Sequence, residues 1–486
     1  MRNKTTKETL SAVDYDPFGH GPVIERAVPT TEPQREVWLA AGLNREATLA
    51  YNESVILRLR GRANLPALQG AVQDIVDRHE ALRAIFSSDG LSLCICAPSP
   101  LDVPVVDLGQ LDSVERDRKL EDLAIREVEE PFDLKNGPLF RARIVRLGPD
   151  DQALILSAHH IVCDGWSYWV VVKELAAFYA KRLGHAVDPL PAAHSFADYA
   201  LAERSPVTPH LAADEQYWLE RFRDPPPPLE LPTDRARPPL RSQRAGREDH
   251  VLDAELVAAI KKTGARNGAS LFVTMLAGFS AYLYRLTQQC DIVVGIPAAG
   301  QSLDGRERLV GHCVNLLPLR ATIDPAKPLS ALIEAMRVTM LDAYEHQHTT
   351  FGTLLKKLPL PRDPSRLPLV SVVFNIDQAM DAERRSFPGL EMELMSIPRR
   401  YENFELFINA AQVGGELRLE CQYNCDLFYR TTIRRWLAGF EAFFRDASAN
   451  PDRLIGQLAV VAPEERSSLV EIGTRCEKYD ARARAC

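Results

Sequence analysis

Alternation of apolar and polar positions is sharpest in LFRARIVRLGPDDQALILSAHH, residues 139–160. Two runs rich in strand-forming residues flank a Gly-Pro-Asp-Asp turn, which predicts a β-hairpin. Beyond Asp164 and Gly165 the period changes. Tyr168, Val172, Leu175, Tyr179 and Leu183 recur at helical spacing, with Ser167 as the candidate N-cap and Gly184 as the closing residue. Similar mixtures of strand and helix patterns occur on both sides of RDPPPPLELPTDRARPPLRSQRAGRE, 223–248. Its prolines disfavour helix and most ladder hydrogen bonds, so an extended surface connector is expected there. The pattern therefore divides the chain into a polar leader or linker (1–26), a first α/β lobe (27–222), the connector (223–248), a second α/β lobe (249–465) and the start of a downstream linker (466–486). Two comparable α/β halves suit a duplicated fold.

Composition narrows the class without naming a function. The chain has 486 residues, 46% hydrophobic and 26% charged, with a net charge of −8. Lysines and arginines are scattered rather than clustered, so neither nucleic acid nor an anionic membrane is an expected partner. No apolar run approaches the ~20 residues of a membrane span, and the N-terminus lacks the apolar core of a secretory signal. A cytoplasmic location is expected. Nine cysteines at irregular spacing predict buried reduced thiols rather than a disulfide framework, and no zinc spacing or other metal site is evident. No GxxxxGK[ST] loop is present, so no ATP site is expected.

Candidate chemistry concentrates in HHIVCDG, 159–165, at a strand end feeding a helix. Successive side chains on a strand point to opposite faces, so His159 and His160 cannot both reach one cavity. Imidazole is the natural neutral proton acceptor near pH 7. Pattern alone leaves open which ring acts, and whether Asp164 orients it or pairs with a buried arginine to hold the loop.

HHIVCDG resembles the HHxxxDG signature of nonribosomal peptide synthetase condensation domains. Further segments resemble that family's motifs in the family's order: TTEPQREVWLA (30–40), RHEALRAIF (78–86), PFDLKNGPLFR (131–141), FADYA (196–200), GIPAAGQ (295–301), VGHCVNLLPLR (310–320), HQHTTFGTLL (346–355) and PRDPSRLPLV (361–370). The resemblance covers about 28–465. It implies two chloramphenicol-acetyltransferase-like α/β lobes in a V-shaped pseudodimer, with a tunnel between them. By the same resemblance His160 is the catalytic residue and His159 supports it. Asp164 becomes a structural aspartate with Arg83 as its salt-bridge partner, and Gly165 permits the turn and the close approach of a substrate arm. Trp166 and Asn315 are placed along the substrate tunnel.

The implied reaction is amide formation between a donor acyl thioester and the amine of an acceptor aminoacyl thioester. Both are carried on phosphopantetheine arms of partner carrier proteins, so no cofactor is expected on this chain itself. Expected partners are an upstream acyl or peptidyl carrier protein, a downstream peptidyl carrier protein and an adenylation domain. AYNES (50–54), TTFGTLLKKL (349–358), SRLPLVSVVFNID (365–377) and ENFELFINA (402–410) look more like the subtype that follows a polyketide module. The alternatives are an ordinary peptidyl-donor condensation domain, a free-standing acyltransferase using coenzyme A, and a catalytically silent condensation-like module that recruits a tailoring enzyme.

Overall fold

The predicted hairpin forms the middle of a sheet: Phe140–Gly148 pairs antiparallel with Asp151–His159, which pairs on its other side with Asn52–Arg60. The computed structural model describes residues 21–203, 211–302, 305–377 and 387–461. In it the first sheet has five strands, in the order Glu391–Ser396, Asn52–Arg60, Asp151–His159, Phe140–Gly148 and Val105–Asp107. Asp151–His159 is central, with all but its first residue buried, which is why it reads as a nearly continuous apolar run. Helices Leu65–Arg78 and Gly165–Arg182 bury Leu68, Val72, Ile75, Val172, Leu175 and Tyr179 on one side of it. Helix Ser113–Glu129 covers the other side, setting Leu120, Ala124 and Val128 against Val145, Leu147 and Ile155. Both layers follow from stripes at helical spacing laid on a sheet with two apolar faces.

The second lobe repeats this scheme around a six-stranded sheet. Its order is Val314–Thr322, Asp291–Ala299, Val372–Asp377, Leu406–Val413, Glu416–Asn424 and Ala245–Leu252. Helix Leu271–Thr287 lies at its centre and is buried continuously from Val273 to Tyr284. Gly278 allows this, since a Cβ there would sit 2.1 Å from the Phe444 ring of helix Arg430–Ala449. Each lobe is thus a mixed sheet covered by helices, the two-lobed α/β class expected from the sequence.

Packing does not follow a single cut at 223–248. Strand Glu391–Ser396, from the second half, forms the edge of the first sheet by pairing with Asn52–Arg60. Leu309, Val310, Cys313 and Phe387 also lie in the first core. In the opposite direction, Trp218 and Phe222, at the end of helix Leu211–Arg221, are buried in the second core. The proline-rich stretch is more than a surface connector, because Leu229 and Leu231 anchor it in that core and a strand begins at Ala245. Pairing between distant segments, rather than local pattern, decides these placements.

Residues 21–26 continue into strand Ile24–Pro29, which pairs with Ser92–Cys96. The rest of the expected leader, and the stretch 466–486, lie outside the described residues. Cys94, Cys96, Cys163, Cys313 and Cys421 are buried thiols, Cys425 is half-buried and Cys290 exposed. Among the described residues no single helix is long and apolar enough to cross a membrane.

Candidate active site at the end of the histidine strand

Strand register separates the two histidines. Asn52 lies opposite His159 and Glu53 opposite Ala158, and His160 N–H donates to the Tyr51 carbonyl at 2.8 Å, so side chains alternate through His160. His159 is fully buried, its ring 5.9 Å from that of Tyr51 and 6.2 Å from that of Phe132. Its Nδ1 accepts from Ile161 N–H at 3.3 Å. Burial, with His160 adding, pushes its pKa down to about 3, so the ring is a neutral packing element.

His160 emerges on the opposite face, partly open, with its two ring nitrogens facing different partners. Nδ1 lies 3.1 Å from Nδ1 of His312 and Nε2 lies 3.5 Å from Oε2 of Glu53. His312 belongs to the second-half segment leading into strand Val314–Thr322, and burial holds it well below the ordinary imidazole range, with His160 adding. Gly311 makes that placement possible: its φ is +156°, and a Cβ would meet the Phe196 ring at 2.0 Å. Glu53 is fixed from its other oxygen by Arg399, 3.1 Å away, and Arg399 also pairs with Glu402 at 3.1 Å. Burial works against the Arg399 charge, but Glu53 and Glu402 outweigh it and raise its pKa.

Asp164 is buried and structural, but its partner is not Arg83. Oδ1 accepts from the Ser167 backbone N–H at 2.8 Å and from its hydroxyl at 2.7 Å. Oδ2 accepts from Gln301 Nε2 at 2.7 Å and from Cys313 N–H at 3.0 Å. Asp164, not Ser167, is therefore the N-cap of helix Gly165–Arg182, and it also ties that turn to the second-half segment 301–313. Four donors at a helix N-terminus satisfy the carboxylate without a cation. Arg83 instead donates to the Cys96 carbonyl at 2.8 Å and lies 3.5 Å from Glu25. Asp164→Ala should leave the Ser167 and Cys313 N–H groups and the Gln301 amide without this acceptor, at roughly 1–3 kcal/mol each, while the Ser167 hydroxyl keeps the Gly311 carbonyl. A drop in thermal midpoint is the expected result; a variant as stable as the wild type with only its rate lowered would contradict this role.

Gly165 is the first residue of the helix and does not adopt a positive φ, so the turn itself does not demand glycine. Its exposed face is open, and a Cβ there would meet nothing within 4 Å. Trp166 reaches across to the second half, its Nε1 donating to the Glu307 carbonyl at 3.0 Å. Asn315 is a clamp: its amide donates to the carbonyls of Gln347 and Thr349 and accepts from Phe351 N–H. These bonds commit both amide hydrogens and one acceptor site of the oxygen within the protein. Two small crevices lie elsewhere, largely in the second lobe, and His160 lines neither. Among the described residues, no group of His, Cys, Asp and Glu is placed to hold a metal ion.

Sequence reasoning missed Glu53, His312, Arg399 and Gln301. For His312 a signal existed, a histidine inside the matched segment VGHCVN. Glu53 and Arg399 carried none, because strand register and the crossing of the chain between lobes bring them to His160.

The sequence profile described as "Condensation domain" matches residues 24–470. The chain belongs to the condensation-domain family of nonribosomal peptide synthetases. It is 30% identical over 451 residues to one of the plipastatin synthase proteins of Bacillus subtilis (strain 168), covering 92% of this chain and 17% of that protein. It is 31% identical over 460 residues to one of the linear gramicidin synthase proteins of Brevibacillus parabrevis, covering 93% of this chain and 9% of that protein. The chain thus spans less than a fifth of either relative. Among solved structures, the first condensation domain of the calcium-dependent antibiotic synthetase, in complex with a substrate analogue, superposes with a TM-score of 0.79 at 21% identity. That match covers 90% of this condensation domain and all of the other chain. The X-domain from teicoplanin biosynthesis gives a TM-score of 0.77 at 25% identity, over 93% of this chain and all of that one.

Proposed function

We propose that this condensation domain joins a donor acyl thioester to the amine of an acceptor aminoacyl thioester, each delivered on the phosphopantetheine arm of a carrier protein. The observation that carries this reading is the division of labour in the histidine pair. His159 is sealed and neutral, while His160 is partly open, with one nitrogen facing His312 and the other facing Glu53. A thioester is already activated, so no covalent enzyme intermediate is needed. The open face at Gly165 gives a substrate arm room beside the helix N-terminus. Delivery by tethered carriers raises the local concentration of both substrates, which relieves the domain of tight binding.

The donor in this reading is a polyketide-type chain on an acyl carrier protein, supported by the segments at 50–54, 349–358, 365–377 and 402–410. The acceptor arrives on a peptidyl carrier protein charged by an adenylation domain. Intact-mass detection of amide product from loaded carriers tests the reaction, with coenzyme A thioesters in parallel. Carrier-dependent product is expected. Equal turnover of coenzyme A thioesters would make the chain a free-standing acyltransferase. A donor series tests the subtype, which fails if peptidyl donors condense well and polyketide-type acyl donors are refused.

A second reading, a silent module that recruits a tailoring enzyme, has one observation behind it. A teicoplanin X-domain resembling this chain is seen in complex with OxyB. Correctly folded protein that binds a carrier yet gives no product with any donor would favour it.

A further inference from the structure

Glu53 is a carboxylate with one oxygen committed and one not. Oε1 accepts from Arg399, whereas Oε2 is buried and accepts no hydrogen bond from the described residues. A buried carboxylate oxygen without a donor is costly and favours a cationic N–H partner. Its neighbour across 3.5 Å is Nε2 of His160, a separation too long for a good hydrogen bond between the two. An sp³ nitrogen with several N–H bonds, seated against both, would reach each at roughly 2.8–3.0 Å.

We propose that Glu53 and His160 together seat the α-ammonium group of the acceptor, with Glu53 binding the cation and His160 Nε2 receiving its proton. This rests on the condensation reading and adds a second residue to the acceptor site. His312 supports it from behind. It is buried and faces Nδ1 of His160, which leaves Nε2 as the nitrogen available to substrate. Arg399 supports it from the other side, because its fork is shared between Glu53 and Glu402 and holds the Glu53 carboxylate in place. Tyr168 adds a further restraint, its hydroxyl donating to the Glu53 backbone carbonyl at 2.7 Å.

The protons balance. The ammonium gives one proton to Nε2, and the resulting imidazolium lies beside the Glu53 carboxylate, which stabilises it. The neutral amine attacks the donor thioester carbon, so a C–N bond forms as the C–S bond breaks. The departing thiolate takes the proton that the new amide nitrogen loses. The proton held on His160 returns to solvent.

The test uses amide-linked, non-reacting alanyl and lactyl derivatives of the pantetheine arm, which differ only in ammonium against hydroxyl. Wild-type protein should bind the alanyl form about 10–100-fold more tightly, the range of a hydrogen bond to a charged group. Glu53→Gln should bind the two equally, and Glu53→Asp should recover part of the preference. Arg399 retains Glu402 in the Gln variant, and the wild-type comparison of the two probes needs no variant at all. Equal binding by the wild type overturns the proposal, as does a preference that persists in Glu53→Gln. Binding requires no turnover, so a wild type that prefers the alanyl probe but makes no amide would sink the condensation reading and leave the ammonium seat standing.

Discussion

Replacing His160 with alanine is expected to lower the rate of carrier-dependent amide formation by about 10²–10⁴-fold, the usual contribution of a positioned acid–base group. The fold should survive. His160 is partly open, and its ring makes one contact with His312 and one with Glu53, while the helix cap and the sheet ladder lie on other residues. The size of the deficit should depend on pH in a way that separates mechanisms. An α-amino group titrates near ~7.7–8.0, so at higher pH an increasing share of acceptor arrives already neutral. If His160 takes the proton of a bound ammonium, the gap between wild type and His160→Ala narrows as pH rises past that range. If His160 only orients the amine or stabilises the tetrahedral intermediate, the gap stays constant. Initial rates of both proteins from pH 6.5 to 9, read by intact mass, decide between them. An alanine variant within a few-fold of wild type throughout would remove His160 from the chemistry.

Much of this site was legible because its determinants are local. The hairpin, the change of period after Gly165 and the alternation of His159 with His160 all depend on neighbours within a few residues, and backbone geometry enforces them. The resemblance added the choice of His160; in the structure it is the His159 ring that is fully buried. Partners were less legible. The resemblance pairs Arg83 with Asp164, but an aspartate at a helix N-terminus meets backbone and hydroxyl donors first, and Gln301 and Cys313 supply the rest. Glu53 faces His160 only because Asn52–Arg60 pairs with Asp151–His159 in one particular register. A slip of one residue would put Glu53 on the opposite face. Nothing in AYNES announces that register.

Segments that exchange between lobes were the least legible. EMELMS, 391–396, alternates as a strand should, yet its partner Asn52–Arg60 lies far away in sequence. Its crossing has a chemical consequence. The same segment carries the chain to Arg399, which grips Glu53 of the first lobe and Glu402 of its own. The second lobe therefore supplies two of the groups around His160, Arg399 indirectly and His312 by contact. A reading that treats the halves as separable would miss both.

Acid should destabilise this protein through a buried histidine, His159. His159 is neutral when folded, its pKa pushed down to about 3 by burial, against 6.5 for an ordinary histidine. Above about 6.5 the ring is neutral in both folded and unfolded chains and contributes no pH dependence. As pH falls from there towards 3, the unfolded chain takes up a proton that the folded chain refuses. The folding equilibrium then loses about tenfold for each pH unit, or roughly 2 kcal/mol between pH 6.5 and 5. His312, also held low by burial, acts in the same sense. Asp377 acts oppositely: burial raises it to about 6, so the stability it lends is greatest at low pH and is lost as pH rises through that value. His159→Phe keeps a ring against Tyr51 and Phe132 while removing the titrating group, and leaves His312 and Asp377 in place. Denaturant unfolding at pH 7.5 and pH 5 should show the wild type losing more stability than His159→Phe over this interval. The difference between the two losses isolates His159. Equal losses would mean that its ring is hydrated or already charged in the folded protein. The sealed, neutral packing role assigned to His159 would then be wrong.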